Sequence, residues 1–256
     1  MYYNNMIRLV LILFLIPFVL IYTIFDAIIY FFVSKVDKFA VRKHNMRVVQ
    51  TIFRIIVFIA GVKINVAGLE NVKLLNDEKS FFVISNHRGF FDIITGYLLF
   101  DKDTAIVAKN NFEKIPLLHY WMKKINCIFL DRSNIRDGMR MVLTAISYIN
   151  DGISVWVFPE GTRCKNENPL ELLEFKQGAF KIAEKTNCYI LPISFRNTES
   201  AFEKHIPWVK SAQVYINIGV PYKMSELSED SRNNIAKYSQ EVIRNLLAEE
   251  KKWQTL

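Results

Sequence analysis

Cysteine is scarce in this chain. Cys127, Cys164 and Cys188 are odd in number and lack any C-x-x-C spacing, which excludes a disulfide framework and a zinc ribbon. Each reads as a reduced, small buried hydrophobe. Several chemical signatures are also missing. Without G-x-G-x-x-G there is no dinucleotide fingerprint, and without G-x-x-x-x-G-K-[ST] there is no P-loop. Without G-x-S-x-G there is no nucleophile elbow, so an acyl-enzyme has no obvious serine. H-E-x-x-H is absent, and no metal site is expected. There is no internal repeat and no low-complexity tract.

Lys plus Arg number 33 against 25 Asp plus Glu, a net +8. That excess suits anionic lipid, phosphorylated substrates or nucleic acid. The basic residues form no long run and there is no zinc-finger or RNA-recognition signature, so nucleic acid has only net charge in its favour and is not expected as a partner. Hydrophobic residues make up 51% and aromatics 14%, which points toward a membrane.

The apolar excess is concentrated at the start. Residues 9–33 are apolar except Pro17, Thr23 and Asp26. As a helix they would run about 37 Å, enough to cross a hydrocarbon core of roughly 30 Å with tilt. Pro17 should kink such a helix, and Asp26 would be costly in lipid. Two readings stand, a kinked spanning helix or a helical hairpin in one leaflet. Lys35, Lys38, Arg42, Lys43 and Arg47 follow, opposed only by Asp37, while Arg8 stands before. The positive-inside bias puts everything after residue 34 in the cytoplasm, with the basic cluster on anionic headgroups. A second apolar segment, Ile52–Ala60, is too short to span and belongs on the membrane or the core. The expected organisation is an anchoring segment over 1–60 and a catalytic domain over 61–256.

From Val62 onward strand and helix patterns alternate. Strands are expected at Val62–Val66, Phe81–Ile84, Thr104–Ala108, Cys127–Leu130, Ile153–Phe158, Tyr189–Phe195 and Gln213–Ile218. Helices are expected at Asp92–Phe100, Pro116–Lys124, Ile135–Ile149, Gly178–Thr186 and Ser228–Lys251, with a polar loop at Lys165–Leu173. The class is α/β with a largely parallel central sheet flanked by helices. In such a sheet the carboxyl ends of the strands share one edge, where ligands bind.

Four strand ends carry polar groups. The apolar run Phe81–Ile84 breaks into Ser85-Asn86-His87-Arg88-Gly89-Phe90-Phe91-Asp92. A spacing of five puts two side chains about 140° apart on a straight helix, so His87 and Asp92 meet only if the chain turns between them. Gly89 permits that turn. An Asp that reaches a His fixes its tautomer and makes it a better general base. The same stretch also fits an ordinary loop histidine followed by a helix-capping aspartate. The other ends carry Lys109, Asp131-Arg132 and Pro159-Glu160-Gly161-Thr162-Arg163. One crevice would then hold a base and up to three cations, suited to deprotonating an alcohol beside a phosphate. Arg163 is the best phosphate ligand, since guanidinium binds phosphate as a bidentate fork. Gly161 lets backbone approach a ligand closely. Singly, these charges also fit solvated residues or an internal ion pair, and Pro159–Thr162 also fits a plain β-turn.

Together the motifs resemble those of the glycerolipid acyltransferases. Asn86-His87-x4-Asp92, Ile128–Arg132, Phe158–Arg163 and Leu191-Pro192-Ile193 stand in the family's order, and the pattern is most similar to the 1-acylglycerol-3-phosphate acyltransferase branch. Gly68–Asn71 and Phe175–Gly178 add to the likeness, which runs from about Val62 to Val220. The resemblance implies His87 as general base, Asp92 as its partner, and Glu160, Gly161, Thr162 and Arg163 at the glycerol-phosphate acceptor, assisted by Arg132 and Lys109. It places Pro192 near the acyl-donor side. It implies transfer of an acyl group from acyl-CoA or acyl carrier protein to lysophosphatidic acid at a phospholipid membrane, with no further cofactor. Action on another lysophospholipid, or an inactive lipid-binding relative, are the alternatives. The chain departs from the pattern at Gly89 and Cys164, where Ser is common, and at Asn126-Cys127, which replace a Gly-rich lead into the second motif.

Overall fold

The structure, a computed structural model, describes residues 2–33, 38–249 and 254–255. The expected basic residue Lys35, its neighbour Asp37, and Lys251 lie outside them. The described chain opens with two long helices, α1 (Tyr2–Val33) and α2 (Lys38–Ala60). The α/β body follows. Its strands are β1 (Lys63–Ala67), β2 (Phe82–Ser85), β3 (Thr104–Lys109), β4 (Ile128–Leu130), β5 (Ser154–Val157), β6 (Ile190–Arg196), β7 (Gln213–Ile218) and β8 (Gln254–Thr255). Its helices are α3 (Leu69–Lys73), α4 (Phe90–Gly96), α5 (Pro116–Lys124), α6 (Ile135–Asn150), α7 (Lys181–Thr186), α8 (Glu229–Asn233) and α9 (Ile235–Ala248).

One sheet runs in the order β4-β3-β5-β2-β6-β7-β1-β8. The first five strands are mutually parallel. β7 then runs antiparallel to β6, β1 is parallel to β7, and β8 is antiparallel to β1. The sheet is therefore largely parallel, as the alternating pattern suggests, and mixed through the antiparallel pairings of β7 with β6 and of β8 with β1. The reason lies between β6 and β7. Residues 197–212 form only short 3-10 turns, with no crossover helix to carry the chain back for a parallel return.

Strand residues alternate between two apolar layers. Val83, Trp156, Leu191 and Phe195 face the layer carrying α2, α4 and α5, while Phe82, Ile84, Val155, Val157 and Ile190 face α6, α7 and α9. Phe82, Val83 and Ile84 are fully buried, as expected of a strand covered on both sides.

Helix boundaries depart from the sequence pattern in small ways. α4 starts at Phe90 and passes into a 3-10 turn at Tyr97–Leu99. The closing segment is broken at Asn234 into α8 and α9. Residues 9–33 lie within a single helix with Pro17 inside it, so they do not fold back on themselves. Ile52–Ala60 is the last part of α2, which contributes Met46, Val49 and Ala60 to the core and exposes Ile55 and Phe58. α1 sets Leu9, Ile12 and Val19 against the body and exposes Phe14, Phe18, Phe25 and Ile29. Among the described residues it is the one helix long and apolar enough to cross a membrane.

Candidate active site

The carboxyl ends of the five parallel strands meet along one edge. β2 delivers Asn86 and His87 to it, β3 Lys109, β4 Asp131 and Arg132, and β5 Glu160 to Arg163. A crevice of about 560 Å³ there is lined by His87, Lys109, Arg132, Gly161, Thr162 and Arg163, with Phe90, Phe112 and Phe158 as apolar walls.

The turn holding His87 is fixed from several directions. Asn86 is buried, and its amide donates to the Phe195 carbonyl and accepts from the Phe195 N–H, each at 2.8 Å. The His87 N–H donates to Glu160 Oε1 at 2.7 Å, and its carbonyl accepts from the Cys164 N–H at 2.8 Å. The ring stacks on Phe158, with centroids 4.0 Å apart. Asp92 is fully buried, and its Oδ2 sits 2.7 Å from His87 Nδ1. The same oxygen accepts the N–H groups of Arg88 at 2.6 Å and Gly89 at 2.8 Å, and Oδ1 accepts the hydroxyl of Thr198. An ionised carboxylate has no proton to give, so Nδ1 is the donor and Nε2 carries the lone pair. The helix-capping and histidine-orienting readings of Asp92 hold together, since one oxygen does both.

Gly89 acts differently from expectation. Its φ of −164° and ψ of −178° are extended backbone open to any residue. What matters is the missing side chain: a Cβ there would lie 2.4 Å from Glu203 Oε2. Gly161 does require glycine, with φ +71° and Lys176 Nζ 2.9 Å from where a Cβ would stand.

Glu160 is turned into the protein. It is 3% exposed, and its oxygens accept the N–H groups of His87 and Leu173. Burial pushes its carboxyl above the ordinary range, against the opposing pull of those two bonds. Arg163 extends over the crevice, bonded to Glu203 Oε1 at 3.1 Å and lying 5.0 Å above the Phe90 ring. Arg132 has no ion pair among the described residues. Partial desolvation and the nearby charge of Arg163 lower its affinity for its proton. Lys109 and these two guanidinium groups thus share the crevice with two carboxylates, Asp131 on its wall and Glu203 on Arg163, a local excess of positive charge. Pro192 is buried inside β6 opposite Ile84, away from the crevice lining.

Residues 63–196 match the Acyltransferase family. The 1-acyl-sn-glycerol-3-phosphate acyltransferase of Borreliella burgdorferi is 30% identical over 182 residues, covering 71% of this chain and 70% of that one. This chain belongs to the acyltransferase family. The enzyme of the same description from Saccharomyces cerevisiae is 26% identical over 205 residues, which span 64% of its length. The crystal structure of the 1-acyl-sn-glycerophosphate acyltransferase of Thermotoga maritima superposes with a TM-score of 0.79 at 24% identity, covering 98% of this chain and 99% of that one. The fold is therefore shared across both helical and α/β parts.

In this acyltransferase the sequence motifs miss three supports of the site. Thr198 completes the hydrogen bonding of Asp92, Glu203 holds Arg163, and Glu199 pairs with buried Arg88 at 3.3 Å. Arg88 also donates to the Asn166 carbonyl at 2.7 Å, tying the His87 turn to the loop after β5. All three supports follow the end of β6. The rule that selected the other four strand ends would have selected this one too.

A second groove of about 510 Å³ adjoins the crevice. Leu130, Ile135, Met139, Val142, Val157 and Ala179 line it, and it shares Arg132, Phe158 and Gly161 with the crevice.

Proposed function

We propose that this acyltransferase moves a fatty acyl group from an acyl thioester, acyl-CoA or acyl carrier protein, to 1-acyl-sn-glycerol-3-phosphate, giving phosphatidic acid. One juxtaposition carries the reading: a histidine with its Nε2 free to accept, in a crevice where Lys109, Arg132 and Arg163 outnumber the carboxylates of Asp131 and Glu203. An alcohol next to a phosphate matches both halves. The names of the relatives support the same substrate.

His87 Nε2 takes the proton of the free glycerol hydroxyl as its oxygen attacks the thioester carbonyl. The C–S bond breaks as the new C–O ester bond forms, and the departing thiolate takes up the proton from His87. A thiolate leaves readily enough that no covalent acyl-enzyme is needed. Asp92 stays ionised and stabilises the imidazolium between these proton transfers. Arg163, Arg132 and Lys109 hold the phosphate, with Thr162 at the same wall. Glu160 acts through its backbone bonds, keeping the His87 turn and the Gly161 turn together. The apolar groove beside the crevice suits a fatty acyl chain.

The exposed apolar side of α1 belongs in the bilayer, with the body on the cytoplasmic face beside the basic cluster. Both lipids then stay in the membrane during reaction.

The test is purified protein with labelled acyl-CoA and either lysophosphatidic acid or lysophosphatidylcholine. Turnover of the phosphate monoester with little on the choline ester is expected. Equal rates on both would remove the cations from acceptor selection.

A further inference from the structure

We infer that Glu203 is a positioning residue for Arg163, and that Gly89 is glycine in this chain because Glu203 fills the space above it. The inference rests on the reading of Arg163 as the phosphate ligand. Glu203 lies on the short 3-10 turn Glu203–His205 between β6 and β7, outside every motif that carries the family resemblance. Its Oε1 accepts from the Phe90 N–H at 2.8 Å and from Arg163 Nη1 at 3.1 Å. Phe90 is the first residue of α4, the helix that carries Asp92. A single carboxylate oxygen therefore joins the His87–Asp92 turn to Arg163.

The carboxylate reaches this place across Gly89. A Cβ at that position would come within 2.4 Å of Glu203 Oε2, 2.7 Å of Cδ and 3.0 Å of Oε1. Every side chain larger than hydrogen would displace the carboxylate and with it Arg163. The backbone at Gly89 is extended and would accept any residue, so steric room for Glu203 is what glycine supplies. The departure from serine noted in the first motif and the distant Glu203 thus form one device.

An arginine at a crevice mouth has several rotatable bonds to lose on gripping a ligand. Arg163 is 40% exposed in its side chain, and the Phe90 ring supports only one face. Glu203 removes much of that freedom in advance, which strengthens binding by preorganisation. Only one amino group is engaged, and the remaining donors of the fork stay available to a phosphate.

The experiment is steady-state kinetics on Glu203→Ala, Glu203→Gln, Gly89→Ser and the Gly89→Ser/Glu203→Ala double variant, with lysophosphatidic acid and acyl-CoA varied separately. For Glu203→Ala, KM for lysophosphatidic acid should rise about tenfold, the effect of one charge-assisted hydrogen bond, with kcat and the acyl-CoA KM little changed. Glu203→Gln, close in shape and retaining one acceptor, should fall between Ala and wild type. Gly89→Ser should raise the same KM, and adding it to Glu203→Ala should do nothing more, a clear departure from additivity. An unchanged lysophosphatidic acid KM in Glu203→Ala and Glu203→Gln would overturn the inference, as would equal shifts in both KM values or additive effects of the two sites. Failure of the functional reading looks different, because wild-type protein itself would then show no turnover of lysophosphatidic acid.

Discussion

Asp92 and Asp26 are both buried, at 0% and 4% exposure, and they are held by different kinds of partner. Asp92 takes nearly everything from its own turn: the His87 ring and the N–H groups of Arg88 and Gly89, with Thr198 the one distant donor. Asp26, about three-quarters of the way along the apolar helix α1, takes everything from far away. Lys124 Nζ lies 2.6 Å from its Oδ2, the Tyr120 hydroxyl donates at 3.1 Å, and His44 Nε2 stands 3.4 Å from Oδ1. One turn before it, Trp121 Nε1 donates to Thr23 Oγ1 at 2.8 Å, and Tyr22 stacks on Trp121. The first aspartate orients a base. The second pins α1 to α5, the helix that follows Lys109 and the crevice wall. A carboxylate that looked costly in lipid is an ion pair inside the protein.

The largest effects should fall on the Asp92 side of this comparison. His87→Ala should lower kcat by about 10²–10⁴-fold while leaving the melting temperature and membrane attachment near wild type. Asp92→Asn should be comparably severe, because an amide NH2 would face the donors that Asp92 now satisfies and would favour the wrong imidazole tautomer. Near-normal kcat in either variant would end the base assignment. A smaller effect is expected at the rim. Arg163→Lys keeps the charge and loses the fork, so KM for lysophosphatidic acid should rise about tenfold with kcat retained. A change in the acyl-CoA KM of the same size would make Arg163 a support of the site and not a phosphate ligand.

Asp26 should behave in the opposite way, through stability and not chemistry. Asp26→Ala removes the buried carboxylate that Lys124 and Tyr120 both bond, at a cost of about 3 kcal/mol. Thermal unfolding in detergent should show that loss, whereas kcat on detergent-dispersed substrate, measured below the unfolding range, should stay within a few-fold of wild type. Replacing both partners, Asp26→Leu with Lys124→Met, should recover most of the stability. If the double variant is as unstable as the single one, hydrogen bonds from Tyr120 and His44 matter more than the pair itself.

The two aspartates also show what was legible beforehand. His87-x4-Asp92 is a local pattern, and the strand before it, the helix after it and the shared sheet edge all follow from apolar runs and their ends. The partners of Asp26 stand 18, 94 and 98 residues away, and no spacing relates them. The direction of β7 was illegible for a similar reason. Strand patterns do not record direction, and the missing crossover helix was the only sign. At Gly89 the sequence shows a residue that permits a turn, because glycine freedom is visible in a sequence and the carboxylate of Glu203 above it is not.

Glu160 is a third buried carboxylate and lies between the two cases, since both its partners are backbone N–H groups, one from the adjoining motif and one from Leu173. It should give the smallest effect, seen as a pH dependence. Burial raises its carboxyl above the ordinary glutamate range, more than the two hydrogen bonds and the charge of His87 lower it. The folded state therefore binds this proton more tightly than the unfolded state. That contribution is complete below the unfolded value of about 4.3 and is lost as pH rises through the folded one. Glu160→Gln has no such proton. The stability of wild type minus that of the variant should therefore fall with rising pH in the window just above the ordinary glutamate range, by at most about 1.4 kcal/mol per pH unit, and level off beyond it. Melting temperatures of both proteins in one detergent, taken across that window, measure the difference. A difference that grows with pH would mean that the two backbone bonds outweigh burial, and that Glu160 is held as an anion.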